Sequence, residues 1–399
     1  MAPSTQSLAS AAGLLALVPS ALAGFSATGI DNVSVYWGQN SAKGADTQQR
    51  LSTYCTDNGI NIINLAFMDA INNPTINFAS SENNCTPVEG TGLAICPDIE
   101  ADIEFCQSQG KTIILSLAGS TYTEGGFSDA TAAQQAAANV WSLFGSDTSA
   151  PNRPFGSAVV DGFDFDLESS NTNFAPFAQE LRDLMDADTS KTFYMSAAPQ
   201  CMFPDVADND MLDGAVAFDW INVQFYNNNC GVINFSNSNA WNFDTWDNWA
   251  KTTSKNPNVR VLIGVLATST AGGGFVDVSA VETIIAATAS EFSSFGGMMI
   301  WDMSQLFTNA GFLDGINSAL AAAGGSSPAA PTTTAAAATT TTATPTTLST
   351  MTTTATATTG SGSGLAQWAQ CGGEGYTGPT ACAPPFACQS VTPFWSQCD

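Results

Sequence analysis

Short apolar runs with strand character alternate with amphipathic, helix-like segments between residues 33 and 301. The runs with strand character are residues 33–37, 60–67, 112–117, 158–166, 192–197, 220–225, 259–266 and 297–301. The helix-like segments between them include residues 98–109, 130–144, 174–186 and 278–292. Strands that alternate with helices build a parallel sheet, and eight such repeats over about 280 residues favour a closed barrel. We therefore predict an α/β fold, a (β/α)8 TIM barrel, with an open doubly wound sheet as the structural alternative.

Both ends of the chain differ in composition from this alternating region. The first residues are apolar and small and end in an A-x-A-like site before Gly24, which is typical of a cleaved signal peptide, a buried N-terminal helix being the alternative. A later segment of almost only Ala, Thr, Pro, Ser and Gly predicts an extended, O-glycosylated linker. The predicted boundaries are residues 1–23 for the signal peptide, 24–323 for the barrel, 324–364 for the linker and 365–399 for a small, β-rich, disulfide-stapled module. This organisation predicts a secreted, extracellular protein that a cell wall could retain.

The charge balance restricts the partners and the chemistry. The chain has 35 Asp and Glu residues against 9 Lys and Arg, a net charge of -26, and no His. Such a surface repels phosphate backbones and anionic membranes, so we expect neither nucleic acid nor a membrane as partner, whereas a neutral polymer is compatible. Without His, the usual nucleophilic triads and most zinc sites are excluded, and acid–base chemistry falls to carboxylates or Tyr. We expect a monomer that needs no metal or organic cofactor.

The segment at residues 161–168, D-G-F-D-F-D-L-E, places acids at alternate positions. Alternate side chains of a strand point to opposite faces, so Phe163 and Phe165 are expected to face the helices. The acids Asp164, Asp166 and Glu168 then point into the barrel and climb toward its C-terminal rim, where catalytic groups of barrels lie. Crowding should raise the pKa of the outermost acid, which would keep it protonated as a general acid. A calcium site or a solvated acidic loop is the alternative, although calcium ligands usually lie in a Gly-containing loop.

These residues match the D-G-x-D-x-D-x-E signature, and the chain resembles family 18 of the glycoside hydrolases, the chitinases and their relatives, over most of residues 30–320. It is most similar to the fungal and plant class III chitinases. Further matches lie at or near the ends of predicted strands: V-Y-W-G-Q-N at 35–40, A-A-P-Q-C at 197–201, V-Q-F-Y-N-N at 223–228 and G-G-M-M-I-W at 296–301. One departure is Ala118, where the family usually has Gly, and it adds a methyl group beside the groove.

The resemblance implies retaining, substrate-assisted hydrolysis of β-1,4-N-acetylglucosamine linkages in chitin. Glu168 would protonate the glycosidic oxygen while the substrate's own acetamido carbonyl attacks the anomeric carbon. Asp166 would orient the acetamide N–H, with Asp164 beneath it sharing a proton. Tyr226 would hold the acetamido carbonyl.

The resemblance also implies residues that bind the sugar. Trp301 would form an apolar floor under it, and Gln224 would lie near the acetamido group. Tyr36 and Gln39, at the end of the first strand, are further groove candidates. The segment between the last two predicted strands has room for only one helix and short loops, which indicates an open groove and endo-type cutting. The alternatives are an endo-β-N-acetylglucosaminidase acting on N-glycans and a non-catalytic chitin-binding lectin or inhibitor.

Ten cysteines in an exported chain predict up to five disulfides, and sequence alone leaves their pairing open. The class III resemblance favours Cys55–Cys106, Cys85–Cys96 and Cys201–Cys230 in the barrel. Sequons at Asn32, Asn84 and Asn234 permit N-glycans.

The cysteine-rich end of the chain resembles the fungal-type cellulose-binding module, family 1 of the carbohydrate-binding modules. The resemblance implies the disulfides Cys371–Cys388 and Cys382–Cys398. It also implies a sugar-stacking face and polar contacts formed by Trp368, Phe394, Trp395, Gln370 and Gln397. Thr392 stands where the family usually has Asn. Such a face would bind chitin and possibly cellulose surfaces.

Overall fold

The computed structural model describes residues 24–82, 84–325, 370–372, 380–392 and 395–398. The predicted signal peptide and nearly all of the predicted linker lie outside the described residues, and so do Trp368 and Phe394 of the module. For Gln370, Trp395 and Gln397 the structure describes the backbone only.

Eight parallel strands form a closed barrel. They are β1 Asn32–Trp37, β2 Ile62–Ala70, β3 Thr112–Ala118, β4 Gly162–Asp166, β5 Tyr194–Ala197, β6 Trp220–Gln224, β7 Arg260–Leu266 and β8 Phe295–Trp301. Each strand pairs with the next along the chain, and β1 pairs with both β8 and β2, which closes the sheet. The predicted TIM barrel is confirmed, and the open doubly wound sheet is excluded.

Helices follow the strands around the outside of the barrel. They are α1 Leu51–Tyr54, α2 Pro97–Ser108, α3 Ala130–Phe144, α4 Phe174–Ala187, α5 Asn209–Leu212, α6 Phe243–Thr252, α7 Val278–Glu291, α8 Met303–Leu306 and α9 Phe312–Ala322. The N-cap side chains Asp129 and Asp277 accept hydrogen bonds from the third backbone N–H along, at 2.9 and 3.1 Å. These contacts satisfy N–H groups that have no partner within the first turn, and they fix where α3 and α7 begin.

β4 begins later than the sequence predicts, at Gly162 instead of residue 158. The Asp161 side chain accepts hydrogen bonds from Ile113 N at 2.7 Å and from Lys191 Nζ at 2.8 Å, which ties the chain into a turn before the strand. A Cβ atom on Gly162 would lie 1.8 Å from the carbonyl oxygen of Tyr194. The close approach of β4 and β5 therefore requires glycine at this position of the signature.

Short hairpins between β2 and α2 escaped the sequence prediction. β2 runs on to Ala70 and turns back into the two-residue strand Thr75–Ile76, and Thr86–Pro87 pairs with Ala94–Ile95. Two-residue strands are too short to show the alternation that marks a strand in sequence. The Cys85–Cys96 disulfide closes the second hairpin.

Apolar side chains fill two layers. Phe163 and Phe165 face outward as predicted, and Phe165 packs edge-on against Phe177 of α4 at 5.9 Å between ring centroids. Inside the barrel, Phe25 lies 4.4 Å from the ring of Trp220 and its backbone N–H donates to Thr112 Oγ1. The residue after Gly24 therefore packs inside the barrel, where burial of a Phe stabilises the fold by about 2–3 kcal/mol.

All five disulfides join the pairs that the two resemblances imply: Cys55–Cys106, Cys85–Cys96, Cys201–Cys230, Cys371–Cys388 and Cys382–Cys398. The described part of the module forms an antiparallel sheet of β9 Gln370–Gly372, β10 Cys388–Thr392 and β11 Trp395–Cys398, with β11 in the centre. Of the helices that the structure describes, none has the length and apolarity needed to span a bilayer.

The sequon at Asn32 is buried in β1. Its side chain is 0% exposed, and its Nδ2 donates to the carbonyl oxygens of Gly296 at 2.8 Å and Ser26 at 3.0 Å. An N-glycan on this side chain would displace both hydrogen bonds, so a glycan at this sequon is incompatible with the folded strand. The sequons at Asn84 and Asn234 lie on more accessible segments and stay predictions.

Candidate active site

Asp164 lies on the inner face of β4 and is completely buried. Four side chains from four other strands donate hydrogen bonds to its two oxygens: Tyr36 Oη at 2.8 Å, Ser116 Oγ at 2.7 Å, Ser196 Oγ at 2.6 Å and Asn222 Nδ2 at 3.3 Å. Burial raises the pKa of this carboxyl, and the hydrogen bonds oppose that rise. The four donors hold the Asp164 carboxylate at a fixed position below the rim.

Asp166 is the next inward acid toward the rim. Gln224 donates from Nε2 to Asp166 Oδ1 at 2.8 Å and to the Ala198 carbonyl at 3.0 Å. Burial raises the pKa of Asp166 well above its usual range, and the charges of Glu168, Asp164 and Asp205 raise it further. The proton that the resemblance implies Asp164 shares with Asp166 stays a prediction.

Glu168 lies two residues beyond the end of β4, with its side chain exposed at the rim. Desolvation on folding raises its pKa to about 7, and the charge of Asp205 is the second cause. The Glu168 side chain is accessible from the cleft, yet the surrounding protein takes the place of much of the water that would lie around a free carboxyl group. It is therefore both exposed and desolvated. Among the described residues, no side chain donates a hydrogen bond to Glu168. A carboxyl with this pKa keeps its proton at mildly acidic pH and can donate it, as the sequence predicts for the outermost acid.

Tyr226 lies two residues beyond the end of β6, and Trp301 is the last residue of β8. Tyr226 is 5% exposed, and its hydroxyl has no acceptor among the described residues. Burial and the charges of Asp166, Glu168 and Asp164 raise its pKa well above the usual value, so the hydroxyl stays protonated and available as a donor. Trp301 is partly exposed, and its ring lies nearly parallel to that of Phe67, 6.1 Å away. Both side chains are where a sugar over the rim could meet them.

Two of the groove candidates, Tyr36 and Gln39, form hydrogen bonds within the protein. Tyr36 is 2% exposed, and its hydroxyl is bound to Asp164. Gln39 donates from Nε2 to the carbonyl oxygens of Ala66 and Asn77, both at 2.9 Å. Tyr36 therefore supports the buried acid, and the Gln39 side chain joins Ala66 of β2 to Asn77, the residue after the returning strand Thr75–Ile76.

Two further acids at the rim were missed by the sequence analysis. Asp205, in the loop after β5, accepts backbone hydrogen bonds from Ala207 and Asp208 at 2.8 Å and from Gln200 at 3.0 Å. Asp208 is completely buried, and both its oxygens lack a hydrogen-bond partner in the described structure. An acid four residues after Cys201, at the end of the A-A-P-Q-C match, was the only signal in the sequence.

Ala118, the departure from the family pattern, has φ +81° and pairs with Asp166 across β3 and β4. That region of backbone conformation favours glycine. The adjacent Gly119 also has a positive φ, +79°, and a Cβ there would lie 2.9 Å from the ring of Phe67. The sharp turn of β3 into the rim therefore brings Phe67 close to the site at the cost of strain at Ala118.

The hydrogen bonds of the acidic cluster do not fit a calcium ion. Asp164 and Asp166 both receive N–H or O–H groups, which point hydrogen atoms at the carboxylate oxygens that a cation would need. The arrangement suits carboxylates that accept hydrogen bonds and exchange protons.

Comparison with known proteins agrees with this geometry. The family model of the glycosyl hydrolases family 18 matches residues 32–272, and that of the fungal cellulose binding domain matches residues 367–395. The predicted boundaries 24–323 and 365–399 enclose these ranges and stay predictions.

Two curated relatives and one solved structure are similar to the chain. It is 51% identical over 321 residues to Endochitinase 33 of Trichoderma harzianum, which covers 79% of this chain and 99% of that protein. It is 41% identical over 331 residues to a class III chitinase of Arthroderma benhamiae, covering 80% and 94%. The crystal structure of the ICChI chitinase from Ipomoea carnea matches with a TM-score of 0.58 at 27% identity, over 72% of this chain and 99% of that one. The chain therefore belongs to the glycosyl hydrolases of family 18, and it carries a fungal cellulose binding domain.

Proposed function

We propose that the protein is a secreted, monomeric endochitinase that cleaves β-1,4-N-acetylglucosamine linkages by retaining, substrate-assisted catalysis. The observation that carries the proposal is the division of roles among the acids of β4. Only Glu168 reaches the rim with a pKa of about 7, whereas Asp164 and Asp166 are buried and hydrogen-bonded. A two-carboxylate mechanism needs a second carboxylate free to attack the sugar, and the substrate's acetamido group can take that part.

Each step of the proposed reaction uses one of these groups. Glu168 donates its proton to the glycosidic oxygen as the bond from that oxygen to the anomeric carbon breaks. The acetamido carbonyl oxygen bonds to the anomeric carbon from the other face, which gives an oxazolinium-type intermediate. Water, deprotonated by Glu168, then opens this intermediate, so that two inversions give net retention.

Asp166 and Tyr226 stabilise the charge that develops on the acetamido group. Gln224 occupies Oδ1 of Asp166, which leaves Oδ2 to accept the acetamide N–H. The negative form of Asp166 becomes more favourable as positive charge appears beside it. The Tyr226 hydroxyl donates to the acetamido oxygen and holds it in line for attack. Trp301 stacks under the pyranose ring that this subsite binds.

The open groove supports endo-type cutting. Between Leu266 at the end of β7 and Phe295 at the start of β8, the structure has a Gly-rich loop and α7. No inserted domain walls the cleft at this point of the described chain, so a long polymer can lie across the rim.

The cellulose binding domain would hold the enzyme on insoluble chitin or cellulose through Trp368, Phe394 and Trp395, with Gln370 and Gln397 as polar contacts. A tethered binding domain raises the local concentration of polymer without adding a catalytic contact. This arrangement suits an extracellular enzyme whose substrate is a solid surface, including a cell wall.

Hydrolysis of soluble N-acetylglucosamine oligomers by the wild type and by Glu168→Gln tests the proposal, with the product anomers followed by NMR. We expect the wild type to release β-anomers first and the variant to lose nearly all activity. Release of α-anomers would overturn retention. Cleavage of N-glycan cores without cleavage of the oligomers would favour the endo-β-N-acetylglucosaminidase alternative, and binding without cleavage of either would favour the lectin.

A further inference from the structure

Asp205 is an acid that the proposed reaction does not use. It follows β5, the strand beside β4, and its side chain is 5% exposed. Its carboxylate accepts three backbone N–H groups, from Gln200, Ala207 and Asp208. Backbone donors cannot turn away as side chains can, so the position of this carboxylate follows the position of its loop.

The loop that carries Asp205 is fixed to the barrel and to the segment that carries Glu168. At its start, Cys201 forms a disulfide with Cys230. The Cys201 carbonyl oxygen also accepts hydrogen bonds from Asn242 Nδ2 at 2.7 Å and from Trp246 Nε1 at 3.1 Å. Asn171, three residues after Glu168, donates from Nδ2 to the Ala207 carbonyl at 2.9 Å. Ala207 is itself one of the residues that bind the Asp205 carboxylate, so a short chain of contacts links the two acids.

Asp205 and Asp208, the two acids that the sequence analysis missed, differ in the hydrogen bonds that they accept. Three N–H donors favour the ionised form of Asp205 and oppose the rise in pKa that burial causes. Asp208 has no such donor in the described structure, and burial raises its pKa well above the usual range, which favours its neutral form. The six ion pairs found in the described residues all use other carboxylates. Asp205 is therefore a carboxylate whose charged form is stabilised by three backbone N–H groups, and no Lys or Arg of the described residues pairs with it.

The described titratable groups whose charges interact with that of Glu168 are all acids. Asp166 lies below it on β4, Tyr226 lies at the end of β6, and Asp205 and Asp208 lie beside it in the loop after β5. Among these, Asp166 and Tyr226 are assigned to the substrate in the proposed reaction, and burial favours the neutral form of Asp208. Asp205 alone combines hydrogen bonds that favour its charged form with a position outside the reacting atoms.

We propose that Asp205 is a positioning residue whose fixed negative charge keeps Glu168 protonated at the pH where the glycosidic bond is cleaved. The inference rests on the proposed function in one respect, the assignment of Glu168 as the proton donor. The charge acts because proton loss from Glu168 would place two anions side by side at a rim where no cation compensates them. Asp205 would extend the active range of the enzyme to higher pH without touching the sugar.

The test is the pH dependence of kcat/KM for soluble N-acetylglucosamine oligomers with Asp205→Asn. The fall of kcat/KM on the high-pH side of the profile, its basic limb, reports loss of the proton from Glu168. Without the neighbouring charge, that proton is lost more easily. We expect this limb to move to lower pH by about one unit, with activity near pH 5 largely kept. A loss of kcat at every pH with the limb in place would show a structural role only and would overturn the proposal.

Two matched variants locate the effect. Asp210→Asn removes an exposed carboxylate of α5 that also accepts a backbone N–H, from Ala175 at 3.1 Å, and should leave the limb in place. Asp208→Asn replaces a group that is already neutral and should also leave it in place. An equal shift with either variant would overturn the assignment of the charge to Asp205.

Melting curves show whether Asp205→Asn folds. If it does not, Asp205→Ser takes its place, because a Ser hydroxyl also accepts backbone N–H groups in a turn and is neutral. Asp205→Glu, which restores the charge, should return the limb toward its wild-type position, and failure to do so would count against an electrostatic role. Glu168→Gln separates the two proposals. If this variant stays active, the proposed function fails. If it is inactive but the basic limb does not move in Asp205→Asn, only this inference fails.

Discussion

Gln224 of β6 donates a hydrogen bond from Nε2 to Asp166 Oδ1 of β4, 2.8 Å away, across the mouth of the barrel. The same Nε2 donates to the Ala198 carbonyl at 3.0 Å, so its amide plane is held by two acceptors. This contact holds Oδ1 of the Asp166 carboxylate, and no group among the described residues donates a hydrogen bond to Oδ2. The orientation of Asp166 therefore depends on a strand that is not its neighbour in the sheet.

Replacement of Gln224 by Met should remove this orientation while keeping the volume of the side chain. We expect kcat to fall by about tenfold or more, because a lost hydrogen bond to a charged group is worth about 1.5–3 kcal/mol. Gln107→Met is the matched control, since Gln107 also donates to an Asp and to a carbonyl, Asp161 at 3.0 Å and Val159 at 2.8 Å, before β4 begins. Its kcat should stay unchanged. Equal losses in the two variants would contradict a specific role for Gln224.

Tyr226→Phe tests the donor to the acetamido oxygen. Removal of one hydroxyl that acts mainly in the transition state should lower kcat by about a hundredfold and change KM little. Tyr194→Phe, the same change at the start of β5, should leave both constants as they are. A rise in KM with an unchanged kcat would show that Tyr226 binds the ground state only.

The contribution of Asp208 to the stability of the protein should fall as the pH rises above the range in which an unfolded Asp titrates. Burial raises the pKa of Asp208 well above that of an unfolded Asp, so the folded state binds more protons than the unfolded state in this range. The free energy of unfolding contributed by this group is fully present below the unfolded pKa and is lost as the pH rises toward the folded one.

Thermal melting of the wild type and Asp208→Asn at several pH values measures this contribution. The variant has no proton to lose at this site, so its Tm should fall less between pH 5 and 8 than that of the wild type. Parallel curves would show that Asp208 does not contribute to the pH dependence of stability.

Ala118→Gly should stabilise the protein. Ala118 has φ +81°, where an L side chain is strained by about 1 kcal/mol, and glycine removes that strain at a smaller entropic cost. Urea unfolding of the variant should give a higher midpoint, by a free energy of about 0.5–1 kcal/mol. Ala197→Gly, at the end of β5 and without a positive φ, should lower the midpoint. A lower midpoint in both variants would contradict strain at Ala118.

Truncation after Gly325 should separate binding from catalysis. The barrel, with Phe25 inside it and three disulfides of its own, is complete at that residue in the structure, so kcat on soluble oligomers should be unchanged. Pelleting assays with insoluble chitin should show binding weaker by about tenfold or more, since the tethered domain is gone. Trp395→Ala in the full chain should weaken binding in the same direction. Unchanged pelleting would show that the barrel alone holds the polymer.

Features that depend on local periodicity could be predicted from the sequence alone. Alternation along one strand placed Phe163 and Phe165 outside and Asp164 and Asp166 inside, because side chains of a strand must point to opposite faces. The eight alternating units predicted the barrel, since few other arrangements cover both faces of a parallel sheet. Composition alone predicted a linker between the barrel and the module.

Contacts between strands were decided only by the tertiary structure. The donors to Asp164 come from four different strands, and which residues meet depends on the register of each strand and on the closure of β1 against β8. Nothing in the local pattern around Asp205 marks it as an acid beside Glu168, because the place of its loop follows from the Cys201–Cys230 disulfide and from the hydrogen bond of the Asn171 side chain to the Ala207 carbonyl. The sequence therefore determined which groups are present and which way they face, and the packed barrel decided which of them touch and which keep their protons.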